Sequence, residues 1–287
     1  MRPRHDRRYV PHRARRRSRE KTDAQNRLGI ILIGLGVAVL LAAGIGFAAT
    51  YHPSDIDRTT GCPKGNQAPA AHTLILVDAT DKLAGAQLSN ARSVIQTEYM
   101  WLPMGGQLTV RSLTEDPEAA KEIVICRLDD GSHANSMTNN PKAVKHRFDR
   151  TAGTKLKALY AELENAPLQK ASPILEAASA VFDRPDFAPN VEARRLVIIS
   201  DFAQHSGIAS DYGRGHRLDE HARDYLARDM SGVEMRLHYV SRPELRDLQT
   251  AAHRQFWQRY FEDMGAHVAL GSNVLIGEDP SKDTWIG

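Results

Sequence analysis

Cysteine is nearly absent. Two residues, Cys62 and Cys126, stand among 287, too few for a disulfide framework or an all-cysteine zinc site. The chain also lacks the Gly-x-Ser-x-Gly, Walker A, His-Glu-x-x-His and Cys-x-x-Cys patterns, so no common hydrolase, nucleotide-binding or redox signature is present. The closely spaced Gly34 and Gly36 fall inside an apolar run and form no nucleotide loop. Net charge is small, +3, and hydrophobic (41%) and charged (25%) usage is ordinary. That balance excludes a collagen-like or wholly disordered chain.

The charge is unevenly placed. Residues 1–27 hold eleven Lys or Arg against Asp6, Glu20 and Asp23, a net of +8, so the other 260 residues carry −5. Such an arm has too little apolar content to fold alone. Residues 28–49 follow with no charge at all. As a helix, that run of 22 residues would be roughly 33 Å long, enough to cross a hydrocarbon core. A cleaved signal peptide has a shorter apolar region. We therefore expect an uncleaved single-pass anchor in the cytoplasmic membrane. Its basic arm stays in the cytoplasm, and everything after residue 50 lies outside, in the periplasmic or extracytoplasmic space. Nucleic acid is then not the expected partner of the mildly acidic remainder. Gly34, Ala38, Ala42 and Gly46 recur every four residues, a stripe on which two such helices can dimerise.

Residues 50–72 are polar and contain three prolines and two glycines, the composition of a linker. Cys62 lies in it. Cys126 lies in the apolar run 122–128, and an oxidising compartment would permit a Cys62–Cys126 bridge.

From residue 73 strand and helix patterns alternate. Apolar runs at 73–77, 106–112, 122–128, 195–200, 233–240 and 267–276 read as strands. Segments 85–99, 143–165, 173–183, 217–229 and 243–264 read as helices. This predicts one α/β domain over 73–287, with a mostly parallel open sheet and helices on both faces. Phe256, Trp257, Tyr260 and Phe261 form i, i+4 pairs on one helix and are assigned to the core.

Asp78 and Asp201 each end an apolar strand. With strand order 3-2-1-4-5 their strands are neighbours, and both carboxylates face the crevice where ligands of open α/β sheets bind. Hard oxygen groups converging there suit Mg²⁺ or Mn²⁺, although an Asp in this position also commonly caps a helix or makes a turn. A set of His205, His216 and His221 with Asp211, Asp219 and Glu220 matches no usual zinc spacing and reads as solvated loop.

The pattern resembles the von Willebrand factor A (VWA) domain, over about residues 73–276. That family's first metal motif, Asp-x-Ser-x-Ser, corresponds to Asp78-Ala79-Thr80-Asp81-Lys82, with the hydroxyl kept at Thr80 and Lys82 in the third position. The isolated threonine corresponds to Ser172, which also suits a helix N-cap ahead of Pro173. The final Asp-Gly corresponds to Asp201-Phe202, with the glycine replaced. The stretches 129–135, 200–206 and 256–265 look like those of membrane-anchored bacterial proteins of this type. The resemblance implies a non-enzymatic module that binds another protein. The candidate metal set is Asp78, Thr80, Ser172 and Asp201, and the rim is Asp81, Lys82, Asp130, Ser132 and Asn135. It also allows the Lys82 ammonium to stand in for a cation beside Asp78. The alternative is a hydrolase at the same crevice, using a metal or a set such as Ser206, His205 and Asp201.

Overall fold

The computed structural model describes residues 56–269, apart from 58–59, 66, 84, 117–119, 130–139, 167 and 213–217. The basic arm, the 28–49 run with its Gly34, Ala38, Ala42 and Gly46 stripe, and residues 270–287 lie outside the described residues. So do Asp130, Ser132, Asn135 and His216. Among the described residues no helix is long and apolar enough to cross a membrane.

The strand β1 (Ala71–Asp78) is buried at all eight positions. That is why its sequence is a continuous apolar run and does not alternate: both of its faces are covered. It pairs in parallel with β2 (Gln107–Leu113) on one side and β4 (Ala193–Ser200) on the other. The strand β5 (Val233–Tyr239) continues the parallel set beyond β4, and β6 (His267–Ala269) lies beyond β5. The edge strand β3 (Glu122–Cys126) is antiparallel to β2. The sheet order is β3-β2-β1-β4-β5-β6.

Two apolar cores result, one per face. On one side Ile75, Val77, Val197 and Ile199 pack with α1 (Gly85–Trp101) and α3 (Thr154–Glu164), through residues such as Leu88, Ile95 and Leu159. On the other, Leu74, Leu76, Leu196 and Ile198 pack with α4 (Ile174–Val181), α5 (Glu220–Leu226) and α6 (Ala251–Asp263). Each fully buried aliphatic side chain contributes about 1.5–3 kcal/mol. Trp257, Tyr260 and Phe261 lie in this second core, as their spacing indicates.

Local chemistry explains the helix boundaries. The segment 143–165 is two helices. The first, α2 (Pro141–Phe148), starts at Asn140, whose side chain accepts from the Lys142 and Ala143 amides. A wide π turn, Asp149–Gly153, then separates it from α3. There the Thr151 hydroxyl donates to the Arg147 carbonyl, and that of Thr154 to the Asp149 carbonyl. Such back-bonding bends helices. The segment 243–264 also divides. A short 3₁₀ turn, Pro243–Leu245, is followed by α6, whose N-cap Thr250 accepts from the His253 amide.

The second half of the expected linker is stitched to the domain edge. Ile56 bridges Pro63, the Asp57 amide donates to the Cys62 carbonyl (2.8 Å), and Cys62 is disulfide-bonded to Cys126 with a Cα–Cα distance of 5.0 Å. Gly61 has φ +74°, and an added Cβ would meet Leu128 Cγ at 2.8 Å. Glycine is required there on both counts.

Candidate functional site

Asp78 and Asp201 sit at the carboxyl ends of the adjacent β1 and β4, where the chain leaves the sheet in opposite directions. Both are buried, at 5% and 4% exposure. A buried carboxylate must be hydrogen-bonded or paired. Asp78 Oδ1 accepts from the Thr80 amide (3.0 Å) and the Thr80 hydroxyl (2.6 Å). Its Oδ2 accepts from Ser172 Oγ (3.1 Å) and Ser200 Oγ (2.6 Å). Three of the four residues in the candidate metal set thus share one cluster.

Ser172 is not a helix cap. The N-cap of α4 is Pro173, with no side-chain bond, and the Leu175 amide is instead capped by Gln204 Oε1 at 3.0 Å. Ser172 and His205 exchange backbone hydrogen bonds (2.8 and 3.0 Å), which ties the loop before α4 to the loop after β4. This leaves the Ser172 hydroxyl directed at Asp78.

Asp201 Oδ1 accepts from the Ala203 amide (2.9 Å), and Oδ2 accepts from Arg242 Nε (3.1 Å). Burial first, and then the Asp78 carboxylate, push the Asp201 carboxyl up to about 7, against the downward pull of the Ala203 N–H and Arg242. The next residue, Phe202, has φ +60°, the left-handed conformation that glycine adopts freely. The backbone shape suited to an Asp-Gly pair therefore persists with Phe in place. It is held by the Phe202 amide donating to Ser200 Oγ (2.8 Å), and by the ring stacking on Tyr239 at 4.8 Å.

The Lys82 expectation is corrected. Its side chain is exposed, and it is the Lys82 carbonyl that enters the site, accepting from Arg242 Nη1 at 3.0 Å. The cation at this crevice is Arg242, with 11% of its side chain exposed, and it lies against Asp201 rather than Asp78. Asp81, beside Lys82, is half-buried on the same rim.

Mg²⁺ or Mn²⁺ binding, implied by the resemblance, meets these residues poorly. Both Asp78 oxygens already take two donors each, Asp201 is paired with a guanidinium, and the third motif position is lysine. Among the described residues no group of three His, Cys, Asp or Glu side chains is placed to hold a metal ion.

The other constellations come apart. His205 Nδ1 faces Ser210 Oγ (3.1 Å), Ser206 Oγ donates to Glu176, and Asp201 is engaged as above, so Ser206, His205 and Asp201 make no relay. Asp211 accepts from the Gln204 amide (3.1 Å) and faces His253 Nε2 (3.2 Å), while Asp219 caps α5 through the Ala222 amide (2.8 Å). These carboxylates serve the fold and not a zinc site.

Sequence reading misses Ser200, Arg242 and Gln249. Gln249 Nε2 donates to the carbonyls of Asp201 (3.0 Å) and Val240 (2.9 Å), and its Oε1 accepts from the Arg242 amide (2.9 Å). The available signal is position: Arg242 follows β5, the strand beside β4, at the same end of the sheet.

No family model matches the chain, and no curated protein matches it. Solved structures similar to it include the conserved hypothetical protein BatB from Bacteroides thetaiotaomicron, with 14% identity, a TM-score of 0.38, and coverage of 71% of this chain and 91% of that one. An aerotolerance-related membrane protein from Bacteroides fragilis has 13% identity, a TM-score of 0.37, and coverage of 70% and 92%. The SpRpn10 VWA domain has 12% identity, a TM-score of 0.36, and coverage of 69% and 86%. The sheet order, and the positions of the two aspartates at adjacent strand ends, are those expected from the sequence for a mostly parallel open α/β sheet.

Proposed function

We propose that this chain is a non-enzymatic protein-binding module, tethered outside the cytoplasmic membrane by the 28–49 segment, with the rim around Asp78 and Asp201 as its contact surface. The observation that carries this reading is the convergence of two buried carboxylates, braced by Thr80, Ser172, Ser200 and Arg242, at the switch point of the sheet. Beside it opens a cavity of about 700 Å³ that includes Ala79, Leu159, Leu163 and Gln169 in its lining, a recess suited to an apolar partner side chain. A divalent ion has no part in this reading, because Arg242 is already paired with Asp201.

A photo-reactive amino acid at position 82, in the full chain in living cells, tests this. A discrete adduct weakened by the Asp78→Ala/Asp201→Ala pair is expected. Absence of any adduct at positions 81, 82 and 129 would overturn the reading. The Gly34, Ala38, Ala42 and Gly46 stripe is proposed to dimerise the anchor. Unchanged crosslinked dimer yield in Ala42→Ile would count against that part alone.

A further inference from the structure

We propose that Arg242 is the resident cation of this crevice and occupies the electrostatic role of a divalent metal, so that the site forms without one. Two carboxyl groups at 5% and 4% exposure, on neighbouring strand ends, are costly to ionise together unless a positive charge lies close by. Arg242 supplies it at 3.1 Å from Asp201 Oδ2. Its second anchor is the Lys82 carbonyl, 160 residues away in sequence, so the guanidinium joins the loop after β1 to the loop after β4. Joining those two loops is what a shared metal would otherwise do.

The arrangement is built and not incidental. The Arg242 amide is held by Gln249 Oε1 (2.9 Å), and the same Gln249 side chain holds the Asp201 carbonyl (3.0 Å). Donor and acceptor are therefore positioned by one residue. A guanidinium is permanently charged and less strongly hydrated than an ammonium, which makes it the better buried partner of a carboxylate. Lys82 stands at the motif position where a ligating hydroxyl would be needed, and its exposed ammonium adds a second positive charge. A dication placed between Asp78 and Asp201 would lie within a few ångströms of Arg242 and be repelled.

The inference concerns the same site as the proposed function but rests on this geometry alone, and its test involves no partner. The experiment is a Mn²⁺ titration followed by electron paramagnetic resonance. It uses the full chain in detergent micelles as wild type, Asp78→Asn and the Arg242→Ala/Lys82→Ser double variant. We expect no Asp78-dependent Mn²⁺ binding in the wild type and measurable Asp78-dependent binding in the double variant, where both positive charges are gone and position 82 carries a hydroxyl. Arg242→Gln alone, with Lys82 kept, should also gain binding and separates the guanidinium's part from that of position 82. Asp78-dependent binding in the wild type would overturn the inference. So would a folded double variant that binds no tighter than wild type. A folded Arg242→Gln variant with no gain would likewise overturn the part assigned to Arg242. Failure here would leave the crosslinking result, and with it the protein-binding reading, intact.

Discussion

One route by which acidification should weaken this domain runs through His238. It lies on β5 at 6% exposure, and neither ring nitrogen has a hydrogen-bond partner among the described residues. Burial, aided by the nearby Arg236 charge, pushes its pKa down to about 4 from 6.5. The sign follows directly. Above pH 6.5 the ring is neutral in both the folded and unfolded chain, and no stability is at stake. As pH falls from 6.5 towards 4, the unfolded chain takes up a proton that the folded one refuses, and stability is lost. The full loss is about 3 kcal/mol below pH 4, and about 2 kcal/mol of it is already present at pH 5. For a domain of this size, 2 kcal/mol lowers Tm by roughly 4–8 °C. Scanning calorimetry of wild type and His238→Phe at pH 7 and pH 5 isolates the term, because every other titrating group is common to both proteins. The wild type should lose that much more than His238→Phe on acidification. At pH 7 the variant should be at least as stable, since it removes two unpartnered buried nitrogens. Equal losses in the two proteins would refute the reasoning.

Reduction, or the Cys62→Ser/Cys126→Ser pair, should cost about 4 kcal/mol in the chain-entropy account of a 64-residue separation, read as a lower unfolding midpoint in urea. Glu98, 2% exposed, accepts from Arg195 Nη1 and Arg236 Nη1 at 2.8 Å each. Glu98→Gln should destabilise by about 3 kcal/mol, because it leaves two half-buried guanidinium groups short of charge, and a change under about 1 kcal/mol would contradict this. If the proposed topology holds, alkaline phosphatase fused after Gly287 should be active, and activity of a cytoplasm-only reporter at the same position would overturn that topology.

The parts of the fold legible in sequence are those fixed by burial on two faces. The strands β1 and β4 are apolar at successive positions because helices cover both sides, whereas a strand with one wet face would alternate. Asp78 and Asp201 are legible for the same reason, as the first charged residues to follow each apolar run at its carboxyl end. What stays hidden depends on pairs far apart in the chain. Ser172 satisfies every local rule for an N-cap, yet its hydroxyl goes to Asp78, 94 residues earlier, because a buried carboxylate outcompetes a helix end that Gln204 can cap. Arg242 is 41 residues from Asp201, and no periodicity joins them. The segments 143–165 and 243–264 each look like one helix in sequence because apolar spacing continues through breaks made by Thr151, Thr154 and Thr250 side chains.

Phe202 couples the site to the far side of the sheet. Its ring is fully buried between Tyr239 (4.8 Å) and Trp257 (5.0 Å), and its carbonyl accepts from Trp257 Nε1 at 3.1 Å. Moving Asp201 would mean withdrawing a phenyl ring from the core. The loop therefore acts as a key in a fixed lock, with little freedom left to surrender to the proposed partner. Association at this rim should then be kinetically simple, a single encounter-limited phase near roughly 10⁵–10⁷ M⁻¹s⁻¹ without a slow closing step. Tuning of affinity would fall on the dissociation rate.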